Sequence, residues 1–157
     1  MAPHSPTDIF SNIWIGCCLA SWCMAQLCKL ISAFLQTHEF DLAYFTSTGG
    51  MPSAHTATVS GLATAIGLTN GFNSPAFALA FTLAGIIMFD ASTVRMAAGK
   101  QATLLNQIVR ELFRNHRLAE KPLRELLGHT RFEIFMGMLV GIATATNITL
   151  LWLRRQG

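Results

Sequence analysis

An all-α integral membrane bundle of about four transmembrane helices, with an amphipathic helix in one long polar segment, is the fold class this sequence predicts. Hydrophobic residues make up 52% of the 157-residue chain and charged residues only 12%, about half the charged share of an ordinary soluble domain. Eight of the eleven Lys and Arg lie between Arg95 and Arg131. The stretches outside that segment are therefore nearly uncharged and long enough to cross a bilayer, for which ~20 apolar residues suffice. The length fits a single membrane domain over residues 1–157. Four cysteines, Cys17, Cys18, Cys23 and Cys28, fall in one hydrophobic run with no metal-finger spacing and read as small packing residues. The net charge of +3 is modest and its basic part is confined to one segment, which suits orientation at a membrane and gives no footprint for nucleic acid.

Each element follows in order. Residues 1–8 hold Pro3 and Pro6 and read as a short, loosely ordered leader without the positive start of a secretory signal. The first span covers about 9–36 and carries Lys29 as its single charge, placed to snorkel to the interface or to enter a polar cavity. Residues 37–50, with His38, Glu39 and Asp41, read as a loop. The second span, about 53–68, is rich in Ala, Thr, Gly and Ser and stops at Asn70-Gly71. It is too polar to face lipid all round, so it belongs inside the bundle, where small residues permit close helix contact. A turn over 72–75 leads to the third span, about 76–89. In the polar segment 90–131, Val94, Ala98, Leu105, Ile108 and Leu112 recur at near-helical spacing, with Arg110, Arg114 and Arg117 toward the other side. That pattern predicts an amphipathic helix able to lie on the bilayer surface. The last span, about 132–153, is followed by Arg154 and Arg155.

Four alternating spans place the loop 37–50 and the segment 90–131 on one face and both termini on the other. Lys29, Ser53, His55, Asp90, Arg95, Arg124, His129 and Glu133 all fall at that shared face or within about two helical turns of it. The positive-inside rule places this face in the cytoplasm.

Three local patterns suggest what gathers there. Gly49, Gly50 and Pro52 precede a run of small residues, so a helix starting near Ser53 offers unpaired N–H groups and a glycine-lined approach suited to phosphate. His55 stands next to it as a proton donor or acceptor. A well-capped helix with a polar first turn accounts for the same residues. His129 and Glu133 are spaced i, i+4, which on a helix lets the carboxylate hold one ring nitrogen and leave the other as an acceptor; a buried structural pair has the same spacing. Arg95 can grip a phosphate through its planar fork, with Asp90 placed to steady it, though a surface arginine at a helix end reads alike. No further His, Asp or Glu has metal-ligand spacing, so neither a metal nor another cofactor is expected.

Taken together, Lys29, Pro52-Ser53-Ala54-His55 and His129 with Glu133 resemble the three-part site of the type-2 phosphatidic acid phosphatases and vanadium-dependent haloperoxidases. The closer resemblance is to the divergent branch of that superfamily, whose hallmarks stand here as Ser-Thr-Gly-Gly-Met-Pro-Ser-Ala-His over 47–55, Met-Phe-Asp-Ala-Ser-Thr-Val-Arg over 88–95 and Glu-Leu-Leu-Gly-His over 125–129. The resemblance implies a metal-independent membrane lipid phosphatase. In it His129 is the nucleophile that forms a phosphohistidine, Glu133 orients it, and His55 protonates the leaving group. Lys29, Gly50, Ser53 and Ala54 hold the phosphate. Ala54 stands where the parent motif has glycine, Glu133 where it has aspartate, and the arginine expected at position 36 is glutamine. Arg95, or less directly Arg124, is therefore expected to complete the phosphate contacts. The expected partners are a lipid phosphate of the phosphatidylglycerophosphate or phosphatidate class and the surrounding membrane lipids; a homo-oligomer is left open. A bacterial inner membrane or an organelle membrane is the expected location. The alternative is a catalytically silent phospholipid-binding or scaffold protein of the membrane.

Overall fold

The computed structural model describes residues 5–38, 50–112 and 129–157, and every regular element among them is helical. A 3₁₀ helix, Pro6–Ser11, leads into α1 (Ile13–Thr37), followed by α2 (Ala54–Asn70), α3 (Pro75–Ser92), α4 (Val94–Leu112) and α5 (Arg131–Gln156). The four expected spans thus form as helices within a few residues of their expected bounds. Of the expected leader, residues 5–8 are described and open the 3₁₀ helix. Ser5 and Asp8 close a reciprocal capping box around Pro6, which satisfies the first donors of the 3₁₀ turn.

Local chemistry sets each helix start. The Asn12 side chain accepts hydrogen bonds from the N–H groups of Trp14 and Ile15, and Ser74 caps α3 with Pro75 in the first turn. Gly71, at φ 90°, ends α2 in a backbone conformation that a side chain would strain. Arg154 and Arg155 occupy the last turn of α5, where positive charge complements the helix dipole.

The core lies among α1, α2 and α5, with α2 in the middle and α3 on its outer side. Contacts fix the directions. Trp14 Nε1 donates to Thr69 Oγ1 at 2.8 Å near one end, and Ala25 packs with Ala54 and Ala57 toward the other, so α1 runs antiparallel to α2. Gly137 faces Ser53 and Gly141 faces Ala57, so α5 runs parallel to α2. The ends of α1 and α3 and the starts of α2 and α5 consequently share one face, as alternation of spans requires.

The distribution of side chains is the reverse of a soluble core. The largest fully buried side chains are Thr56, Thr149, Cys17, Ser21 and Ser53, whereas Leu19, Ile31, Leu79, Phe81, Ile86 and Leu151 point outward. Lipid rewards exposed Leu and Phe as well as buried ones, so helix association falls to small residues that let backbones approach. Gly137 and Gly141 do this on α5: a Cβ on the first would strike the Ser53 carbonyl oxygen, and on the second the Ala57 carbonyl oxygen. Buried Ser60 and Ser21 donate to the carbonyls of Thr56 at 2.7 Å and Gly141 at 3.5 Å, while Thr56 and Thr149 pair with Ser53 Oγ and Cys17 Sγ, which answers the bilayer's lack of water.

Three stretches are long and apolar enough to span: Ile13–Leu35, Pro75–Val109 and Arg131–Gln156. The chain is an integral membrane protein. α2, at 17 residues, falls outside this set, and its central place explains why it need not be lipid-compatible: Ala54, Thr56, Ala57, Ser60, Gly61 and Ala65 are all buried. The second stretch runs through α3 and most of α4, which are separated by Thr93 alone. α4 packs against no helix among those described except α3, and its exposed Leu104, Leu105 and Ile108 form the apolar side of the expected amphipathic helix.

Candidate active site

The site begins with the turn before α2. Gly50 has φ 88°, open to glycine without strain, and the Met51–Pro52 bond is cis. Ser53 then caps α2: its hydroxyl accepts from Thr56 N at 3.4 Å and from Thr56 Oγ1 at 3.1 Å. Its own N–H donates to the Glu133 carbonyl at 3.0 Å, which ties the start of α2 to the first turn of α5. Ser53 is fully buried, so the hydroxyl expected to cradle phosphate is engaged within the helix start. A hydroxyl that accepts two bonds retains one proton to donate.

The His129–Glu133 pair forms, but by a different route from two positions on one helix face. Thr130 is extended and caps α5, so His129 lies outside the helix. Thr130 and Glu133 close a capping box, with Thr130 N to Glu133 Oε2 at 2.8 Å and Glu133 N to Thr130 Oγ1 at 3.3 Å. The same Oε2 lies 3.3 Å from His129 Nδ1. One carboxylate therefore secures the helix start and fixes the ring, turning Nε2 away from it. His129 is 5% exposed. His55, in the first turn of α2, is exposed, and its ring centre stands 6.5 Å from that of His129. The two rings are tilted by 56° to one another and stand side by side at the shared face.

Lys29 is buried at 5% exposure, one turn after Ala25 on the α1 face that packs against α2 and α5. Ala54, also buried, packs with Ala25 and Ala57. The methyl that replaces the motif's glycine is thus directed into the α1–α2 contact, away from the mouth where His55 is exposed. Asp90 lies in the last turn of α3, half-buried. Between that end of α3 and the start of α5 is an open cavity of about 380 Å³ whose lining includes Phe89, Thr93, Arg131 and Ile134.

The structure thus brings together His55, His129, Glu133, Ser53 and Lys29. Arg95 occupies the first turn of α4, with its side chain outside the described portion, and Arg124 lies outside the described residues altogether, as do Gly49 and Gly128. Among the described residues no three His, Cys, Asp or Glu side chains group as metal ligands. Sequence reading missed Thr56 and Thr130, although Thr130-x-x-Glu133 is a legible capping signature, and it missed Gly137-x-x-x-Gly141, whose spacing marks a close helix contact.

The Divergent PAP2 family model matches residues 10–144. The uncharacterized membrane protein YuiD of Bacillus subtilis (strain 168) is 38% identical over 146 residues, covering 86% of this chain and 92% of that protein. No solved structure matches the chain.

Proposed function

The chain belongs to the Divergent PAP2 family, and from that membership together with the geometry of the site we propose that it is a metal-independent membrane lipid phosphatase acting on a phosphate monoester. The observation that carries this reading is the placement of His129, with Nδ1 on Glu133 and its ring 6.5 Å from the exposed His55. A phosphate held beside the two rings would rest on Lys29 and the N–H groups at the start of α2, where the helix dipole favours an anion.

The chemistry follows from those positions. His129 Nε2 attacks phosphorus and forms an N–P bond as the bond to the leaving oxygen breaks, and His55 gives that oxygen its proton. The carboxylate of Glu133 stabilises the positive charge that develops on His129. His55, now neutral, takes a proton from water as the water oxygen attacks phosphorus and the N–P bond breaks. Inorganic phosphate leaves, and both histidines return to their starting states.

The substrate's tail would lie against the exposed Leu and Phe of the bundle, with its headgroup entering from the face shared by His55 and His129. The basic segment 95–131 favours a cytoplasmic position for that face, which suits phosphatidylglycerophosphate or phosphatidate. The second reading, a phospholipid-binding or scaffold protein without turnover, draws on the complete burial of Ser53. Purified protein given a panel of lipid phosphates without added metal separates the two. The phosphatase reading expects phosphate release that is lost in His129→Ala and His55→Ala; release by none of the proteins, or equally by all three, supports the second.

A further inference from the structure

Gln26 is buried at 4% exposure within α1, and its Oε1 is the buried side-chain oxygen or nitrogen without a hydrogen-bond partner among the described residues. The phosphatase mechanism gives it no task. An orphaned acceptor in a membrane span costs more than the ~1–3 kcal/mol typical of a soluble core, because no bulk water is at hand to relieve it. An apolar side chain at this position would avoid that cost entirely.

Its placement relates it to the site. Gln26 lies three residues before Lys29, so the two side chains are neighbours on the helix, with the amide about 4.5 Å further into the bilayer along the axis. Met24 borders the groove between α1 and α5. Two residues on, and about 200° round the helix, Gln26 is on the opposite flank. That flank borders α2, at the depth where Ala25 packs with Ala54 and Ala57, beside the first turn that carries His55.

A lipid phosphate enters this site with its phosphate toward the mouth and its linking atoms toward the membrane. We infer that Gln26 reads those linking atoms: its Oε1 accepts a hydrogen bond from a hydroxyl on the carbon next to the phosphate-bearing carbon, making the protein selective for hydroxylated headgroups. The inference rests on the lipid-phosphate reading of the site and deepens it by naming the substrate class. Phosphate oxygens and acyl esters are acceptors and leave Oε1 unsatisfied, whereas a hydroxyl donates. A site built around a hydrogen bond to a substrate hydroxyl discriminates against the analogue lacking it, because the buried partner is then left unpaired.

Phosphatidylglycerophosphate and its propane-1,3-diol analogue differ in that single hydroxyl. The wild-type protein in detergent is expected to hydrolyse the hydroxylated lipid with about tenfold higher kcat/KM, one net hydrogen bond's worth, and Gln26→Met, close in shape but without the acceptor, to treat the two alike. Turnover of both lipids at equal rates by the wild-type protein, or a preference that survives in Gln26→Met, overturns the inference; the wild-type comparison decides even if the variant does not fold. Equilibrium binding of both lipids to His129→Ala, followed by native mass spectrometry, keeps the two readings apart. Absence of turnover with a tenfold binding preference removes the phosphatase reading and leaves the role of Gln26 standing. Equal binding removes the role of Gln26 whatever the turnover.

Discussion

Replacing Gly137 by alanine sets a methyl group against the Ser53 carbonyl oxygen, with Thr56 Cβ at 3.1 Å and the Ser53 carbonyl carbon at 3.2 Å. Two of the three obstacles are backbone, so no side-chain rotation relieves them and α2 must move away from α5. Overpacking of this kind costs ~1–3 kcal/mol. Alanine's better helix propensity returns up to about 1 kcal/mol. The net loss is on the order of 1–2 kcal/mol, or about 2–8 °C in unfolding midpoint for a chain of this length. The movement also strains the 3.0 Å bond from Ser53 N to the Glu133 carbonyl and shifts His55 relative to His129, so hydrolysis should fall by about tenfold or more. Gly85→Ala is the control: it lies exposed on α3 with nothing within 4 Å of a new Cβ, and gains propensity alone. Thermal unfolding in detergent, followed by circular dichroism, measures both variants. If Gly137→Ala matches or exceeds Gly85→Ala in stability, the close α2–α5 approach at the site is wrong.

Three further outcomes follow from the same geometry. Glu133→Gln preserves the capping-box pattern, since glutamine also serves at that position. Its unfolding midpoint should therefore stay within a few degrees of wild type, while kcat falls about a hundredfold or more through loss of the negative charge beside His129. Lys29→Met deletes a buried ammonium group, and lipid phosphate hydrolysis should fall at least tenfold in a steady-state release assay. Ala54→Gly restores the parent motif's residue but deletes a buried methyl and lowers helix propensity. It should destabilise by about 1 kcal/mol in a detergent unfolding titration without raising kcat, because that methyl packs on α1.

Hydropathy and charge made the helices legible, and composition alone placed α2 inside: a helix rich in Ala, Thr, Ser and Gly is a poor lipid-facing surface. Alternation of spans then gathered Lys29, His55 and His129 on one face. Other features depended on what stands opposite. Gly137 and Gly141 carry a readable spacing, but only the three-dimensional partner shows that Ser53 and Ala57 backbone blocks any larger residue. The consequence of Ala54 for phosphate approach could not be read from its identity, because it turns on which way the methyl points. Nothing in the sequence around Gln26 sets it apart, because its burial and its unpartnered oxygen depend on what packs against α1. The capping box that lifts His129 off the helix was overlooked because the i, i+4 spacing of His129 and Glu133 fits a continuous helix equally well.

The central claim is that His129 is phosphorylated during turnover. Protein mixed with a lipid monoester carrying labelled phosphate, quenched in base and mapped by mass spectrometry, should hold a base-stable, acid-labile phosphate on His129, and none in His129→Ala. Undiminished phosphate release by His129→Ala, or label mapped to another residue, would contradict the account.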